Sequence, residues 1–221
     1  LHKNFELKFD FLDDPKSRYA FDFFRHHFKG ASISIDYIVD QENLQDISHK
    51  FIRKSYRPLI SAGLKKWTVS VMDKYCEETW DKFRTLHKTV SGRITRPIKT
   101  WDIQHKGIKN GEAFLVYILN AEGRMVGGGF FTMSNYQCKY SVGTYDRALS
   151  NQPLGHMIQY QAILTMKEKG IKMYYIGDRF YQKDLPFVKE KLIQISHFMQ
   201  GFSSQIFPRI GLFFPRKDKN K

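Results

Sequence analysis

The most constraining feature of this sequence is a change in hydrophobic period between residues 113 and 168. Three apolar runs come first, separated by short turn-forming segments, and they predict a meander of three antiparallel strands. The runs are Ala113–Leu119, Met125–Met133 and Gln137–Tyr145. From Leu154 the apolar residues recur at helical spacing up to Lys167, and Gly170 is a residue of the type that commonly follows a helix. This order predicts a sheet with a helix packed against it.

Further strands and helices are predicted on both sides of this region. Downstream, they are a strand at Ile171–Ile176, a helix from Leu185 to Phe198 and a closing strand at Ile206–Phe214. Upstream, they are a strand at Trp67–Met72, a helix from Cys76 to Val90 that Asp73 caps, and a shorter helix that contains Trp101 and ends near Asn110. The predicted fold class is α/β (α+β), with a mixed, mostly antiparallel sheet flanked by helices.

The N-terminal third differs because it combines a strand with a basic helix. Ser32–Val39 alternates apolar and polar residues, and a helical apolar pattern then runs from Leu44 to Leu59, with a stop or kink expected near Pro58. The other side of this helix carries a cationic stripe of Lys50, Arg53, Lys54 and Arg57. Two interpretations stay open: a solvated charged face, or a surface that binds an anionic substrate or a tRNA backbone.

Charge and composition limit the kinds of partner and the cellular compartment that we expect for this protein. The formal net charge of +14 implies an anionic partner, such as nucleic acid, an acidic substrate or an anionic membrane surface. Cys76 and Cys138 lack metal-like spacing and the histidines are scattered, so no metal site is predicted. No apolar run reaches the roughly 18 residues of a membrane span, and no secretion signal is evident. We expect a cytoplasmic protein without stable membrane insertion, which can lie against the inner face of the membrane.

Five segments carry a family resemblance through their order along the chain. They are Phe51–Arg57, Gly92-Arg93, Gly111–Val116, Tyr145–Arg147 and Ile195–Phe202. In this order the chain resembles the FemAB-related, BioF2-like acyltransferases of the GNAT superfamily, whose members have two tandem GNAT-like domains. The resemblance implies that residues 1–66 are the remnant of a first GNAT-like half and residues 67–221 are the acyltransferase domain. It also implies that the chemistry lies where the sheet splays before the helix at Leu154.

The same resemblance implies a function. It is an N-acyltransferase or aminoacyltransferase that moves its group to an amine on an anionic cell-envelope or sugar precursor. The donor would be a co-substrate, namely aminoacyl-tRNA, acyl-carrier protein or acyl-CoA, and no resident cofactor is expected. The alternative is a non-catalytic or nucleic-acid-binding protein, with tRNA as the nucleic acid, on an eroded acyltransferase scaffold, since a fold does not fix a function. The oligomeric state is not predicted.

One loop bears on the donor. CoA-dependent GNAT enzymes carry the pattern Q/R-x-x-G-x-G/A before this helix, where backbone N–H groups bind a pyrophosphate. Gln152 and Gly155 match the pattern and are the candidate cofactor-binding residues. Pro153 removes one N–H donor, and Met157 stands where a small residue is needed. We interpret the loop as degenerate and expect acetyl-CoA to bind weakly or not at all.

The candidate catalytic residues are those that the third meander strand and the next helix would deliver to one cleft. Amine acylation needs a donor to the developing oxyanion and a general base or a water path to one. Asp146, His156 and Tyr145 are the catalytic candidates, and backbone near Gly143 is the candidate oxyanion site. Arg147 is a candidate substrate-binding residue, because a guanidinium group suits paired hydrogen bonds to phosphate or carboxylate.

Trp101 and Gln104 are further candidates for substrate binding, together with the cationic stripe. Each candidate also has a structural interpretation. Asp146 can be a cap or turn residue, His156 a first-turn helix residue, and Tyr145 and Trp101 packed aromatics.

Overall fold

This computed structural model describes residues 6–9, 30–40, 52–182, 185, 187–203 and 205–213. The chain forms two compact units. The terminal unit comprises Leu1–Tyr37, Asp178–Gln200 and Gln205–Lys221, and the central unit comprises Ile38–Gly177 and Gly201–Ser204.

The strands within the described ranges are β1 (Glu6–Phe9), β2 (Gly30–Asp40), β3 (Thr68–Met72), β4 (Ala113–Leu119), β5 (Met125–Met133), β6 (Gln137–Tyr145), β7 (Met173–Asp178) and β8 (Gln205–Phe213). The α-helices there are α1 (Tyr56–Lys66), α2 (Glu77–Ser91), α3 (Ile98–Lys109), α4 (Leu154–Glu168) and α5 (Glu190–Gln200). A short 3₁₀ helix spans Arg147–Leu149.

Each unit has its own strand arrangement. In the terminal unit, β8 lies between β1 and β2, and β1 pairs with β8 in the antiparallel sense. In the central unit the strand order is β3-β4-β5-β6-β7. From β3 to β6 each strand is antiparallel to the next, and β7 pairs with β6 in the parallel sense. The predicted fold class, a mixed and mostly antiparallel sheet flanked by helices, is confirmed.

Consecutive glycines in β5 let helices approach both faces of the central sheet. A Cβ atom at Gly128 would lie 2.7 Å from the Phe83 ring of α2, and one at Gly129 would lie 2.6 Å from Ile158 of α4. Neighbouring residues of a strand point to opposite faces. Helices α2 and α4 therefore pack on opposite faces of the sheet, and any larger side chain at these positions would push a helix away.

The sequence of α2 explains its bounds and its buried face. It has two glutamates in its first turn, where the helix dipole favours negative charge, and it ends at Gly92, whose φ of 68° is left-handed. Trp80 and Phe83 are 1% and 0% exposed and pack in one core cluster with Trp101 of α3. Burying each such side chain stabilises the fold by about 1.5–3 kcal/mol. These contacts fix α2 against the sheet.

Two local predictions are wrong. Pro58 was expected to stop or kink a helix, but it lies inside α1, which begins at Tyr56 and runs to Lys66. Residues 44–51 of the predicted helix lie outside the described residues. Pro58 is the third residue of α1, where a helix has no intrahelical use for the missing N–H group. Asp73 does not cap α2, because Cys76 occupies the N-cap position. The Asp73 carboxylate pairs with Lys169 at 2.9 Å, and this contact lowers the pKa of Asp73.

The assignment of residues 1–66 to a remnant half stays a prediction, since most of that segment lies outside the described residues. Helix α1 belongs to the same compact unit as residues 67–177. Its Gly63 lies directly against Met157 of α4.

Candidate active site

Strands β6 and β7 pair over a short length and then diverge. Their parallel ladder joins Gln137–Lys139 to Met173–Tyr175 and goes no further. Just beyond it, the register between β5 and β6 shifts, and Ser141 has no paired Cα position in β5. Such a β-bulge bends a strand and increases its twist. The bulge thus accompanies the opening between β6 and β7, which leads towards the start of α4.

Two tyrosines of β6 follow the end of this ladder. The hydroxyl groups of Tyr140 and Tyr145 are 2.8 Å apart and hydrogen-bond to each other. A Cβ atom at Gly143 would lie 1.7 Å from the Tyr140 Oη and 3.5 Å from the Tyr145 ring. Gly143 is therefore required here for its lack of a side chain, and its backbone is exposed to solvent. Both tyrosines are half-buried.

A buried amide completes the group. Tyr174 of β7 donates a hydrogen bond from its hydroxyl to Gln159 Oε1 of α4, at 2.5 Å. Gln159 is fully buried, and its Nε2 has no hydrogen-bond partner among the described residues. We call this group, comprising Tyr140, Gly143, Tyr145, Tyr174 and Gln159, the tyrosine pocket. It presents several hydrogen-bond donors and no charged side chain of its own.

The tyrosine pocket keeps its phenols protonated. Burial raises the pKa of Tyr145 to about 12, and it raises the pKa values of Tyr140 and Tyr174 well above their usual range. At neutral pH each hydroxyl therefore carries its proton. Neutral phenols can donate hydrogen bonds to an oxygen atom that becomes negatively charged during a reaction.

His156 lies in the first turn of α4, one turn before Gln159. Its ring meets the Tyr56 ring edge-on, with 4.4 Å between centroids. Burial lowers the pKa of His156 to about 4, so its imidazole is neutral at physiological pH. A neutral imidazole can accept or donate a proton in a relay, although a pKa this low makes it a weak base.

Tyr56 also brings two of the family-like segments together. The Arg53 N–H donates to the Gly201 carbonyl at 2.8 Å, and the Arg53 Nη1 donates to the Tyr56 hydroxyl at 3.0 Å. A Cβ atom at Gly201 would lie 2.1 Å from the Tyr56 ring, which packs on Phe202 with 5.3 Å between centroids. The aromatic and glycine residues of these segments are thus explained by mutual packing.

Asp146 and Arg147 lie elsewhere. They line a cavity of about 610 Å³ together with Lys82 and other residues of α2. The Asp146 carboxylate accepts the Ala148 N–H at 3.0 Å and pairs with Arg124 at 3.0 Å. Asp146 thus caps the 3₁₀ helix, in agreement with the interpretation of Asp146 as a cap or turn residue.

The prediction that Asp146, Arg147 and His156 line one cleft is therefore wrong. Side chains alternate along a strand and at its end. Tyr145 consequently points towards the tyrosine pocket on the side of α4, and Asp146 points towards α2. The roles of Asp146, Arg147, Tyr145 and His156 in catalysis or binding stay predictions.

Trp101 and Gln104 do not share the tyrosine pocket either. Trp101 is 7% exposed, packs edge-on against Trp80 and lies under the Arg96 guanidinium, so it is a core residue. Gln104 lines a separate depression next to Asn110. The prediction of a shared substrate site for this pair is not supported by their positions.

The prediction that the cationic stripe lies along one helix is also corrected. Lys50 lies outside the described residues, and Arg53 and Lys54 precede α1, so the stripe is not formed on one helix. Arg57 donates to the Ile52 carbonyl at 3.2 Å. Arg53 and Arg57 are half-buried and hydrogen-bond within the protein, and Lys54 is exposed.

The loop before α4 places Gln152 beside a cation. Lys66 of α1 donates from its Nζ to Gln152 Oε1 at 3.0 Å. Pro153 is the N-cap, no side chain caps α4, and its first turn, which includes Gly155, has no acidic residue. This end of α4 suits an anion. Whether Gln152 and Gly155 bind a donor stays a prediction.

Sequence reasoning missed Tyr140, Tyr174 and Gln159. Tyr140 and Tyr145 are five residues apart, which places them on opposite faces of a regular strand. Only the bulge puts them on the same face. A bulge depends on the partner strand, so β6 alone carries no clear signal for it.

Two further findings concern the described residues. None of their histidine, cysteine, aspartate and glutamate side chains form a group of three or more that could hold a metal ion. No helix among them combines the length and the apolar character that a bilayer crossing requires.

Comparison with known proteins gives structural matches alone. No protein-family model and no curated protein sequence matches the chain. FemX is similar in structure with a TM-score of 0.68 and 13% identity, over 93% of this chain and 71% of FemX. The C-terminal domain of a putative lysylphosphatidylglycerol synthetase from Agrobacterium fabrum has a TM-score of 0.64 and 10% identity, over 86% of this chain and 63% of that one. This chain therefore spans less than two thirds of the second structure.

A smaller protein matches part of the chain. An aminoglycoside acetyltransferase from an uncultured soil metagenomic sample has a TM-score of 0.50 and 11% identity, over 64% of this chain and 91% of that one. At these identities the similarity concerns the fold, which is GNAT-like.

Proposed function

We propose that this protein transfers an acyl or aminoacyl group to an amine at the tyrosine pocket. The observation that carries the proposal is that the ladder between β6 and β7 ends at Lys139, directly before the β6 segment that holds the hydrogen-bonded hydroxyls of Tyr140 and Tyr145. The family resemblance locates acyl-transfer chemistry at a splayed strand of this kind. Support also comes from the similar fold of an aminoglycoside acetyltransferase and of a putative lysylphosphatidylglycerol synthetase.

The tyrosine pocket suits the chemistry of amine acylation. A neutral amine attacks the carbonyl carbon of an ester or thioester, and the carbonyl oxygen becomes negative. The paired hydroxyls of Tyr140 and Tyr145, with the buried Gln159 Nε2, supply donors for that oxygen. The bond to the leaving oxygen or sulfur then breaks, and the amine proton passes to it directly or through water. His156 is the candidate relay for that proton.

Donor and acceptor are proposed to approach from different sides. The uncapped end of α4, next to Lys66 and Gln152, would hold a phosphate of the donor, which can be aminoacyl-tRNA, acyl-carrier protein or acyl-CoA. Pro153 and Met157 make CoA the weakest of these candidates.

The acceptor is assigned to the cavity that Arg147 lines. Lys82 and Arg124 in that cavity are already paired with Glu78 and Asp146. Arg147, which has no ion pair among the described residues, would therefore be the group that binds the anionic part of an envelope or sugar precursor.

A transfer assay with matched variants tests the proposal. Purified protein is incubated with each donor class and an amine acceptor, and the amide product is measured by mass spectrometry. Tyr145→Phe removes one pocket hydroxyl and keeps the ring, and Tyr136→Phe makes the same change at a side chain 51% exposed in the turn before β6. We expect product from the wild type and from Tyr136→Phe, with a rate about 10²–10³-fold lower for Tyr145→Phe.

Two results would contradict the proposal. One is the absence of amide product with every donor class, which would favour a binding protein on an acyltransferase scaffold. The other is equal rates for the two variants, which would place the chemistry outside the tyrosine pocket.

A further inference from the structure

A second charged feature lies where α2 ends and α3 begins. A cavity of about 290 Å³ is lined there by four cationic side chains, and no carboxylate is among its lining residues. The cations are Arg84, Lys88, Arg93 and Arg96. Ile94 and Ile98 line the same cavity. We call these six residues the α2–α3 corner.

The positive charge of this corner is largely uncompensated. Arg84 pairs with Asp81. Lys88, Arg93 and Arg96 have no ion pair with any carboxylate in the described part of the chain. The Arg96 guanidinium is held 4.8 Å from the Trp101 ring centroid, and burial lowers the pKa of Arg96. The corner is thus a small cationic cavity that can bind an anion.

The rim of the cavity is apolar and exposed. Ile94 and Ile98 are 70% and 68% exposed, so neither contributes much to the core. Exposed aliphatic side chains next to lysine and arginine are typical of surfaces that lie in a bilayer interface, where lipid phosphates adjoin the acyl chains. Charge and apolar surface together therefore match an anionic phospholipid.

Nucleic acid fits the corner less well. Proteins that bind single strands stack bases on exposed aromatic rings. Two rings line this cavity. Trp101 is 7% exposed and covered by Arg96, and His87 is half-buried and packs edge-on against Trp101. Contacts to a phosphate backbone would also leave Ile94 and Ile98 in water.

We infer that the α2–α3 corner docks this protein on an anionic phospholipid surface, with a lipid phosphate in the cavity and Ile94 and Ile98 inserted beside it. The docking does not depend on the tyrosine pocket. It would bring the protein to the membrane face at which a lipid-linked acceptor is presented.

Vesicle co-sedimentation tests the inference. The full chain is mixed with phosphatidylcholine vesicles with and without phosphatidylglycerol. The charge variant Lys88→Ala/Arg93→Ala is compared with Lys106→Ala/Lys109→Ala, which removes the same charge elsewhere on α3. The apolar variant Ile94→Ser/Ile98→Ser is compared with Ile103→Ser, a residue 70% exposed on α3 outside the corner. Circular dichroism and thermal melting establish that every variant folds.

We expect the wild type and the control variants to bind only the phosphatidylglycerol-containing vesicles. The charge variant should bind about 30-fold more weakly, at about fivefold for each cation. The apolar variant should bind about tenfold more weakly, because less apolar surface enters the interface. Three results would each overturn the inference. The wild type does not bind the vesicles, or the corner variants bind them as well as the control variants do. In the third, binding to bulk RNA is also measured, and the corner variants lose it while their binding to vesicles is unchanged.

Discussion

Tyr140 and Tyr145 are the residues on which the proposed chemistry depends. Their hydroxyls are 2.8 Å apart, and burial raises both pKa values, so the pair donates hydrogen bonds without carrying charge. Tyr145 was predictable from its position at the end of the third meander strand. Tyr140 was not, because its role depends on a bulge in the ladder between β5 and β6.

His156 makes folding stability depend on pH. Burial lowers its pKa from 6.5 to about 4, so between these values the unfolded chain binds a proton that the folded chain does not. Stability therefore falls as the pH drops through this window, with an upper limit of roughly 3 kcal/mol at 1.36 kcal/mol per pKa unit. We expect His156→Phe, which keeps a ring against Tyr56, to lose this part of the pH dependence in urea unfolding.

His87 and His105 serve as internal controls for that measurement. Burial lowers the pKa values of both, and both are present in the wild type and the variant. Their contributions cancel in the comparison. An identical slope of stability against pH in the two proteins would show that His156 does not titrate as described.

At the scale of elements, strand patterns were predictable and their distortions were not. The bounds of β4, β5 and β6 follow from alternation and turn residues, which are local. The start of α1 and the bulge in β6 depend on distant partners, such as the hydrogen bond from Arg53 to Gly201. Tyr145 and Asp146 were predicted to share one cleft, but they point to different sides, because neighbouring side chains alternate between faces.

The bulged strand β6 gives a prediction for Gly143. In Gly143→Ala the new methyl group would lie 1.7 Å from the Tyr140 hydroxyl, so Tyr140 must move and its hydrogen bond to Tyr145 is lost. We expect a transfer rate as low as that of Tyr140→Phe and a loss of about 1–3 kcal/mol in unfolding free energy.

The matched control for this change is Gly107→Ala. A Cβ atom at Gly107 of α3 would lie 3.5 Å from Ala113, an ordinary contact. This variant should keep full activity and an equal or slightly higher stability, since alanine favours a helix. Full activity of Gly143→Ala would mean that the hydroxyl pair is not needed.

At the scale of the whole molecule, a net charge of +14 indicated an anionic partner without locating it. The cations of the expected stripe do not form one free surface, since Arg53 and Arg57 make hydrogen bonds within the protein. A group of three cations without an ion pair in the described part of the chain, Lys88, Arg93 and Arg96, lies at the α2–α3 corner, which no single helical pattern revealed. Composition therefore predicts the sign of a partner's charge, and packing determines which cations are exposed to bind it.

The most direct test of the central claim is a double-mutant cycle in single-turnover transfer. Rates are measured for the wild type, Tyr140→Phe, Tyr145→Phe and the double variant, with Tyr136→Phe as the control. If the two hydroxyls act as one hydrogen-bonded donor, each single change costs about 10²–10³-fold and the double change costs little more than either alone. Rates for the pocket variants equal to that of Tyr136→Phe would contradict the assignment of acyl transfer to the tyrosine pocket.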